Sequence, residues 1–563
     1  MIAGLFLLIM VGGIGLGIAA AVRKSSGATP GDTAPGAARQ LVVFALLFAL
    51  VVIAAVGVSG LLGRVLDAGT ELAGTDVTGL ARSLAFTLIA GPLAALLWWY
   101  LWKGIDDESE RSSTIWPLYL AGMSITALIT ATVSLLVAIT ELIGGDWRPR
   151  ILATGVVWAG VWGWHRWMSF HPTKSPTRLT DLAIVSGSVY GLAVMTGGAI
   201  TTLTSLLDAA LDAVTLAGGA GTPWWEFTMQ AAIWTVAGAV IWWWHWTHDD
   251  GRTLTTGLAD TALVIAGVVA TATAALAGAG LVVFSVLSLA FGLADSTRQN
   301  LEALPFGIAA LAIGGLAWAY HRPLAVSRSD ATREATHLTM SGLGLITAAS
   351  GIGVIVNSIL DSFTTDLAGT DLRLELLMGG LSSLVVGGPV WWLAWQPTRV
   401  AAATSTTGRR LYLVAVFGVG AVVALITLLV IGYRVFEFLL DGVVVGSLVD
   451  RVRAPLGLLV ATGLVAGYHY PVWKREREAV SANLPQRRTV DHVILVTGSD
   501  PAPLRHVIEQ ATGAAITVWM RSDVNGTGPS PEHLSLALEG VTGKRVMVVT
   551  GPGARVEVIT LTS

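Results

Sequence analysis

Cysteine is absent from the 563 residues. That excludes disulfides, thiolate metal sites, haem attachment through cysteine and cysteine nucleophiles. Charge is scarce as well. Asp, Glu, Lys and Arg make up 13% of the chain, and the formal net charge is −3, which offers nothing to a nucleic-acid backbone. No ionisable side chain stands near the centre of any long apolar run. Ionisable residues there mark proton relays and ion pathways, so ion-coupled transport is disfavoured. The chain has no Gly-Lys-Ser/Thr loop ending, no His-Glu-x-x-His and no Gly-x-Ser-x-Gly. An enzyme is not expected.

What the chain has is apolar length. Hydrophobic residues are 53% of it, and many runs reach the roughly 20 residues a helix needs to cross about 30 Å of hydrocarbon. Glycine occupies 65 positions, and in lipid such small residues let helices approach closely. Six of the runs share an aromatic ending: Leu97–Lys103, Val161–Trp167, Val240–His248, Leu316–Arg322, Val390–Gln396 and Ala466–Trp473. Fifteen of the 22 tryptophans fall there, which places the rings at one depth.

Six copies of one ending predict six copies of one unit across residues 38–473. Each unit is a long apolar helix, a polar loop and a shorter helix that carries the ending. The long segments lie near 38–66, 114–143, 178–210, 257–294, 333–362 and 409–441. The short ones lie near 80–102, 150–168, 227–247, 303–321, 374–396 and 454–473. The fourth long segment is interrupted at Gly278 and Gly280, and reads as one tilted helix or as a helix plus an interfacial piece. Gly91-Pro92 and Gly388-Pro389 predict kinks. Residues 1–22 read as a retained membrane anchor and 23–37 as a flexible linker.

After a charged linker at 474–490, residues 491–563 predict a small α/β domain. Its strands are His492–Thr497, Ala515–Met520, Arg545–Thr550 and Arg555–Leu561, with helices Pro501–Ala511 and Pro531–Leu538. Ser530 is the expected N-cap of the second helix, and Gly551-Pro552-Gly553 the turn of a terminal hairpin. The expected fold is therefore an all-α polytopic membrane protein of about thirteen spans, six parallel hairpin repeats, with a small C-terminal α/β domain.

Most Lys and Arg follow the aromatic endings, as at Lys103, Lys174, Arg322, Arg328, Arg409, Arg410 and Lys474. The positive-inside rule puts those ends in the cytoplasm. The expected place is the cell inner membrane, amino terminus outside and carboxyl terminus cytoplasmic. Arg148 with Arg150, and Arg451 with Arg453, run against the bias.

Two sets of residues are candidates for chemistry. His165, His245, His321 and His469 share one slot of the ending, filled by Leu101 and Ala394 in the first and fifth units. Imidazoles there suit haem or metal ligation or pH sensing. Trp, Tyr and His also settle at headgroup depth, so an anchoring belt is the favoured reading and no cofactor is expected. At the opposite ends, Asp67, Glu141, Asp208, Asp295, Asp361 and Asp441 lie near one depth. They would form an acidic vestibule that concentrates cations, or ordinary solvated helix ends. Arg434 and Glu437, at i and i+3, are expected to pair. Thr497-Gly498-Ser499-Asp500-Pro501 reads as a plain capped turn rather than an anion site.

The tandem pairs, with Trp164-His165, Trp244-His245, Tyr320-His321 and Tyr468-His469, resemble an uncharacterised bacterial family of repeated membrane hairpins over residues 38–473. The resemblance implies architecture only. The expected function is a non-enzymatic scaffold or regulatory subunit of a membrane assembly, its partners the lipid bilayer and membrane proteins. The alternative is a channel or transporter for a neutral or weakly charged solute. A continuous polar cavity favours transport, and a Leu/Val/Gly-packed interior favours the scaffold.

Overall fold

The computed structural model describes residues 34–67, 76–215, 223–363, 370–400, 407–440, 447–483, 490–521, 529–541, 543–551 and 555–561. The expected anchor at 1–22, Asp441 and the turn residues Pro552 and Gly553 lie outside the described residues. The chain divides into two compact units, residues 1–402 with 421–462 and residues 403–420 with 463–563.

Long helices alternate with loops from α1 to α12. They are α1 (Ala34–Asp67), α2 (Val77–Gly104), α3 (Ile115–Ile143), α4 (Pro149–Ser169), α5 (Leu182–Thr215) and α6 (Trp224–Trp243, continued by a π-helical turn Trp244–His248). There follow α7 (Gly257–Phe291), α8 (Leu304–Arg328), α9 (Asp330–Asp361), α10 (Thr370–Val400), α11 (Thr407–Leu440) and α12 (Leu448–Asn483). Among the described residues, nine helices are long and apolar enough to cross a membrane. α4, α6 and α12 are not among those nine. Asp76 accepts the Gly79 N–H at the start of α2, which is the main reason its carboxyl is held below the usual range.

Consecutive helices pack in pairs: α1 on α2, α3 on α4, α5 on α6, α7 on α8 and α9 on α10. Ring contacts of Tyr412 with His469 and Phe417 with Trp473 join α11 to α12. The seams are made by backbone. A Cβ on Gly191 of α5 would stand 2.4 Å from the Trp242 nitrogen, and one on Gly238 of α6 would stand 2.2 Å from that of Met195. Only glycine permits so close an approach. Gly344 of α9 meets the Trp391 nitrogen in the same way.

Neighbouring pairs repeat one contact. The long helix of a pair lies on the short helix of the next, as with α1 on α4, α5 on α8 and α7 on α10. Gly353 of α9 meets Gly457 of α12. Links between pairs join turn end to turn end (Asp67 with Arg150) and aromatic end to aromatic end (Arg166 with Asp249). These pairs therefore point the same way.

Three stretches singled out in the sequence take the following forms. α7 runs unbroken through Gly278 and Gly280, where Gly278 lies against the Leu311 backbone of α8. Its irregular stretch is a π-helical turn at Leu263–Ala270. α10 continues through Gly388-Pro389, while in α2 a π-helical turn at Phe86–Ala90 precedes Gly91-Pro92. Pro92 has no N–H for the carbonyl one turn back, and a widened turn absorbs that loss. The charged stretch after Lys474 continues α12 as far as Asn483.

The C-terminal domain has β1 (Val490–Thr497), α13 (Pro501–Thr512), β2 (Ala515–Met520), α14 (Pro531–Ala537), β3 (Gly543–Thr550) and β4 (Val556–Leu561). The strand order is β2-β1-β3-β4, with β1 parallel to both neighbours and β4 antiparallel to β3. Val493, Leu495, Val546 and Val548 form a core with Leu504 and Ile508 of α13 and Leu534 of α14. Ser530 caps α14 by accepting the His533 N–H.

Candidate functional site

The four histidines are core residues. His165, His245, His321 and His469 are each at most 5% exposed. Each ring nitrogen Nδ1 lies 2.7–2.9 Å from the carbonyl four residues earlier, on Val161, Ile241, Ala317 and Val465. A carbonyl only accepts, so Nδ1 carries the proton and Nε2 is left as the acceptor in the neutral ring. The ring then lies across to the long helix of its own pair. His165 Nε2 accepts from the Tyr119 hydroxyl at 3.0 Å. His245 fills the space a side chain at Gly187 would need, and His321 that at Gly267.

This corrects the belt reading for these residues. The rings turned outward are others, such as Trp99, Tyr100, Trp167, Trp243 and Tyr470, each more than half exposed. The histidines and Trp116, Trp158, Trp246 and Trp395 point inward and close the seams. The four histidines sit in different helix pairs, and no cluster of three or more metal-ligating side chains occurs among the described residues. Removing the Tyr119 hydroxyl with Tyr119→Phe strands a buried acceptor on His165. The expected loss is about 1–2 kcal/mol, read as a lower thermal midpoint in detergent.

The acids at the turn ends are paired with arginines. Asp67 of α1 meets Arg150 of α4 at 3.8 Å. Asp208 and Asp212 of α5 share Arg298, on the turn before α8, at 3.4 and 2.7 Å. Asp361 of α9 meets Arg373 of α10 at 3.2 Å and also Arg453 of α12. Glu141 meets Arg148 at 3.3 Å. Glu437 takes both Arg434, as expected, and Arg451. Asp295 lies exposed in the turn before Arg298. The arginines that broke the charge bias in the sequence are thus the acids' partners. The sequence reading took each set by itself and missed the pairing. The signal was present in two basic pairs standing where acids were expected.

The aromatic ends are linked as firmly. Arg166 of α4 makes two parallel bonds to Asp249, at 2.8 and 2.7 Å. Asp181 accepts from Thr256, and Asp260 holds both Arg328 and Thr332. Trp246 donates to the Tyr320 hydroxyl at 3.0 Å.

Among the described residues, cavities lie between the pairs, three of them as follows. Two are small and partly open, near the aromatic ends, of about 30 Å³ beside His321 and about 20 Å³ beside His245 and Ser124. Each has room for about one water. The third, of about 520 Å³, opens at the turn end of the third pair. Asp208, Asp212, Ser205, Trp224, Phe227 and Phe306 contribute to its walls.

Comparison with known proteins supplies one match. Two stretches of the chain match one uncharacterised domain family. That family is described as a domain of unknown function (DUF5671), and the matches cover residues 40–167 and 334–464. No curated protein and no solved structure matches. Each DUF5671 match covers two helix pairs rather than one, α1–α4 and then α9 into α12. Asp67 lies 27 residues after the start of the first match and Asp361 27 after the start of the second (67 minus 40, 361 minus 334). Each pairs with an arginine of the following pair. The second match stops before Tyr468-His469, so the aromatic-His ending is not common to both matched stretches.

Proposed function

We propose that the chain is a non-enzymatic membrane scaffold or regulatory subunit, built from three blocks of two helix pairs. The middle block, α5–α8, lies between the two family matches and carries the same turn-end link through Asp208, Asp212 and Arg298. The bilayer is the solvent for the outward faces, where Leu411, Val419, Leu425 and Leu429 of α11 are exposed. Aromatic ends face the cytoplasm. Arg148, Arg150, Arg451 and Arg453 at the turn ends run against this, and the orientation rests on the larger number of Lys and Arg that follow the aromatic endings.

The observation that carries the scaffold reading is the seam packing. Backbone meets backbone at Gly191, Gly238, Gly344 and Gly457. The two small cavities between pairs near the aromatic ends have room for about one water each. A permeation route needs a continuous polar lining, and these interfaces offer backbone and aliphatic contact instead.

The test is reconstitution of the purified chain into vesicles, with release of neutral solutes followed by light scattering. Permeability equal to that of empty vesicles is expected. Solute release that falls when the turn-end cavity is filled by Ser205→Trp would replace the scaffold with a channel.

A further inference from the structure

The helices of the C-terminal domain pack on one face of its sheet; on the other face Ile494, Val496, Met547 and Val549 are half-buried, and Thr517, Trp519, Arg545 and Glu557 are exposed. Strand register fixes its composition. β1 contributes His492, Ile494 and Val496, which stand beside Arg545, Met547 and Val549 of β3. The outer columns are Ala515, Thr517 and Trp519 on β2, and Leu561, Ile559 and Glu557 on β4. His492 and Thr517 touch through their side chains at 3.0 Å, which confirms that they share this face. α13 and α14 pack against the alternate residues.

The pattern is apolar in the middle and charged at two opposite ends. Ile494, Met547 and Ile559 form the central row. Arg545 and His492 lie in the row at one end of the strands, and Glu557 lies in the row at the other. Trp519 is 57% exposed at the edge. A contiguous apolar sheet face of this kind marks an interaction surface.

We propose that a second copy of this chain covers the face, sheet against sheet. The charge pattern selects the symmetry. A two-fold axis in the interface, across the strands at the central row, lays one charged end over the other. Arg545 of each copy then comes within one strand spacing of the second copy's Glu557, and Met547 faces its own equivalent. An axis along the strands would put Arg545 over His492, a juxtaposition of basic groups. Sheets packed this way stand about 10 Å apart. The isologous contact is the ordinary form of a homodimer.

The face spans roughly 300–400 Å² per copy, taking strands about 4.8 Å apart and about 3.4 Å per residue. A standard stable interface buries about 800 Å² per partner. The contact is therefore too small to hold free domains together and depends on the high local concentration of chains tethered to one membrane. That clause rests on the membrane reading, and the geometry of the face does not.

The absence of cysteine makes the test clean. The full chain with Met547→Cys, in vesicles, is treated with a bis-maleimide of about 10 Å reach, matched to the sheet spacing. Cross-linked dimer is expected from Met547→Cys and not from Leu536→Cys, on an exposed part of α14. In the Met547→Cys background, Arg545→Glu or Glu557→Arg is expected to lower the dimer yield about tenfold. The double exchange Arg545→Glu/Glu557→Arg is expected to restore it, which a merely unfolded variant would not do.

Equal yields from both cysteine positions, or failure of the double exchange to restore the dimer, overturn the proposal. So does protection of Met547→Cys from a monofunctional maleimide without dimer, which would mean another occupant. If the chain is not in the membrane at all, vesicle flotation reports that separately.

Discussion

Gly238→Leu is expected to prevent stable pairing of α5 with α6. The added side chain would start 2.2 Å from the backbone nitrogen of Met195, inside a neighbouring helix that has no flexible side chain to move aside. Overpacking a core usually costs 1–3 kcal/mol. Here backbone itself must shift, so the loss should be about 3 kcal/mol or more. The matched control is Gly197→Leu on α5, where nothing stands within 4 Å of the new Cβ. Leucine there improves helix propensity and should leave stability unchanged or slightly raised. Thermal unfolding in detergent, followed by tryptophan emission, compares the two. Equal midpoints would mean that the glycine seam does not hold the pair.

The second large effect is Asp249→Asn. Asp249 is only 4% exposed, and it holds Arg166 through two parallel bonds that join the second pair to the third. Removing its charge leaves the guanidinium against Phe170 and Trp244 without a counter-ion. Breaking one side of a buried ion pair costs about 3 kcal/mol or more. Replacing both, as Arg166→Met/Asp249→Leu, should recover most of that, because no charge is then stranded. Because the Asp249 carboxylate is shielded from solvent, most of the effect of Asp249→Asn should persist at high salt. A single variant as stable as its parent would show that the aromatic ends are not tied there.

Periodicity and length made the helix pairs legible. An apolar run of 20 or more residues with no charge at its middle has few alternatives to a helix, and the aromatic endings marked where each pair finished. The α/β tail was legible for a similar local reason. Val490–Thr497 and Gly543–Thr550 alternate buried and open side chains, and Ser530 before Pro531 is a cap readable from four residues. The inward turn of the histidines was not legible. Composition places His165 at the end of a helix, but only the facing Tyr119, 46 residues earlier, shows which way the ring points. The pairing of Asp361 with Arg453 is equally remote in sequence. The π-helical turns in α2, α6 and α7 leave no trace in hydropathy, since they change the backbone ladder and not the order of apolar residues. The two-pair block also escaped, because the shared ending repeats once per pair while the Asp67–Arg150 type of link repeats once per two.

Side-specific labelling decides the central claim, that the helix pairs lie parallel in a bilayer with their aromatic ends in the cytoplasm. The cysteine-free chain accepts single cysteines at exposed positions: Ser296 and Ser362 at turn ends, Thr173, Thr255 and Ser327 at aromatic ends. Intact cells are treated with a membrane-impermeant maleimide before and after permeabilisation. Turn-end cysteines should react at once, and aromatic-end cysteines only after the membrane is opened. Reaction of both classes from outside, or a pattern that alternates from one pair to the next, would contradict it.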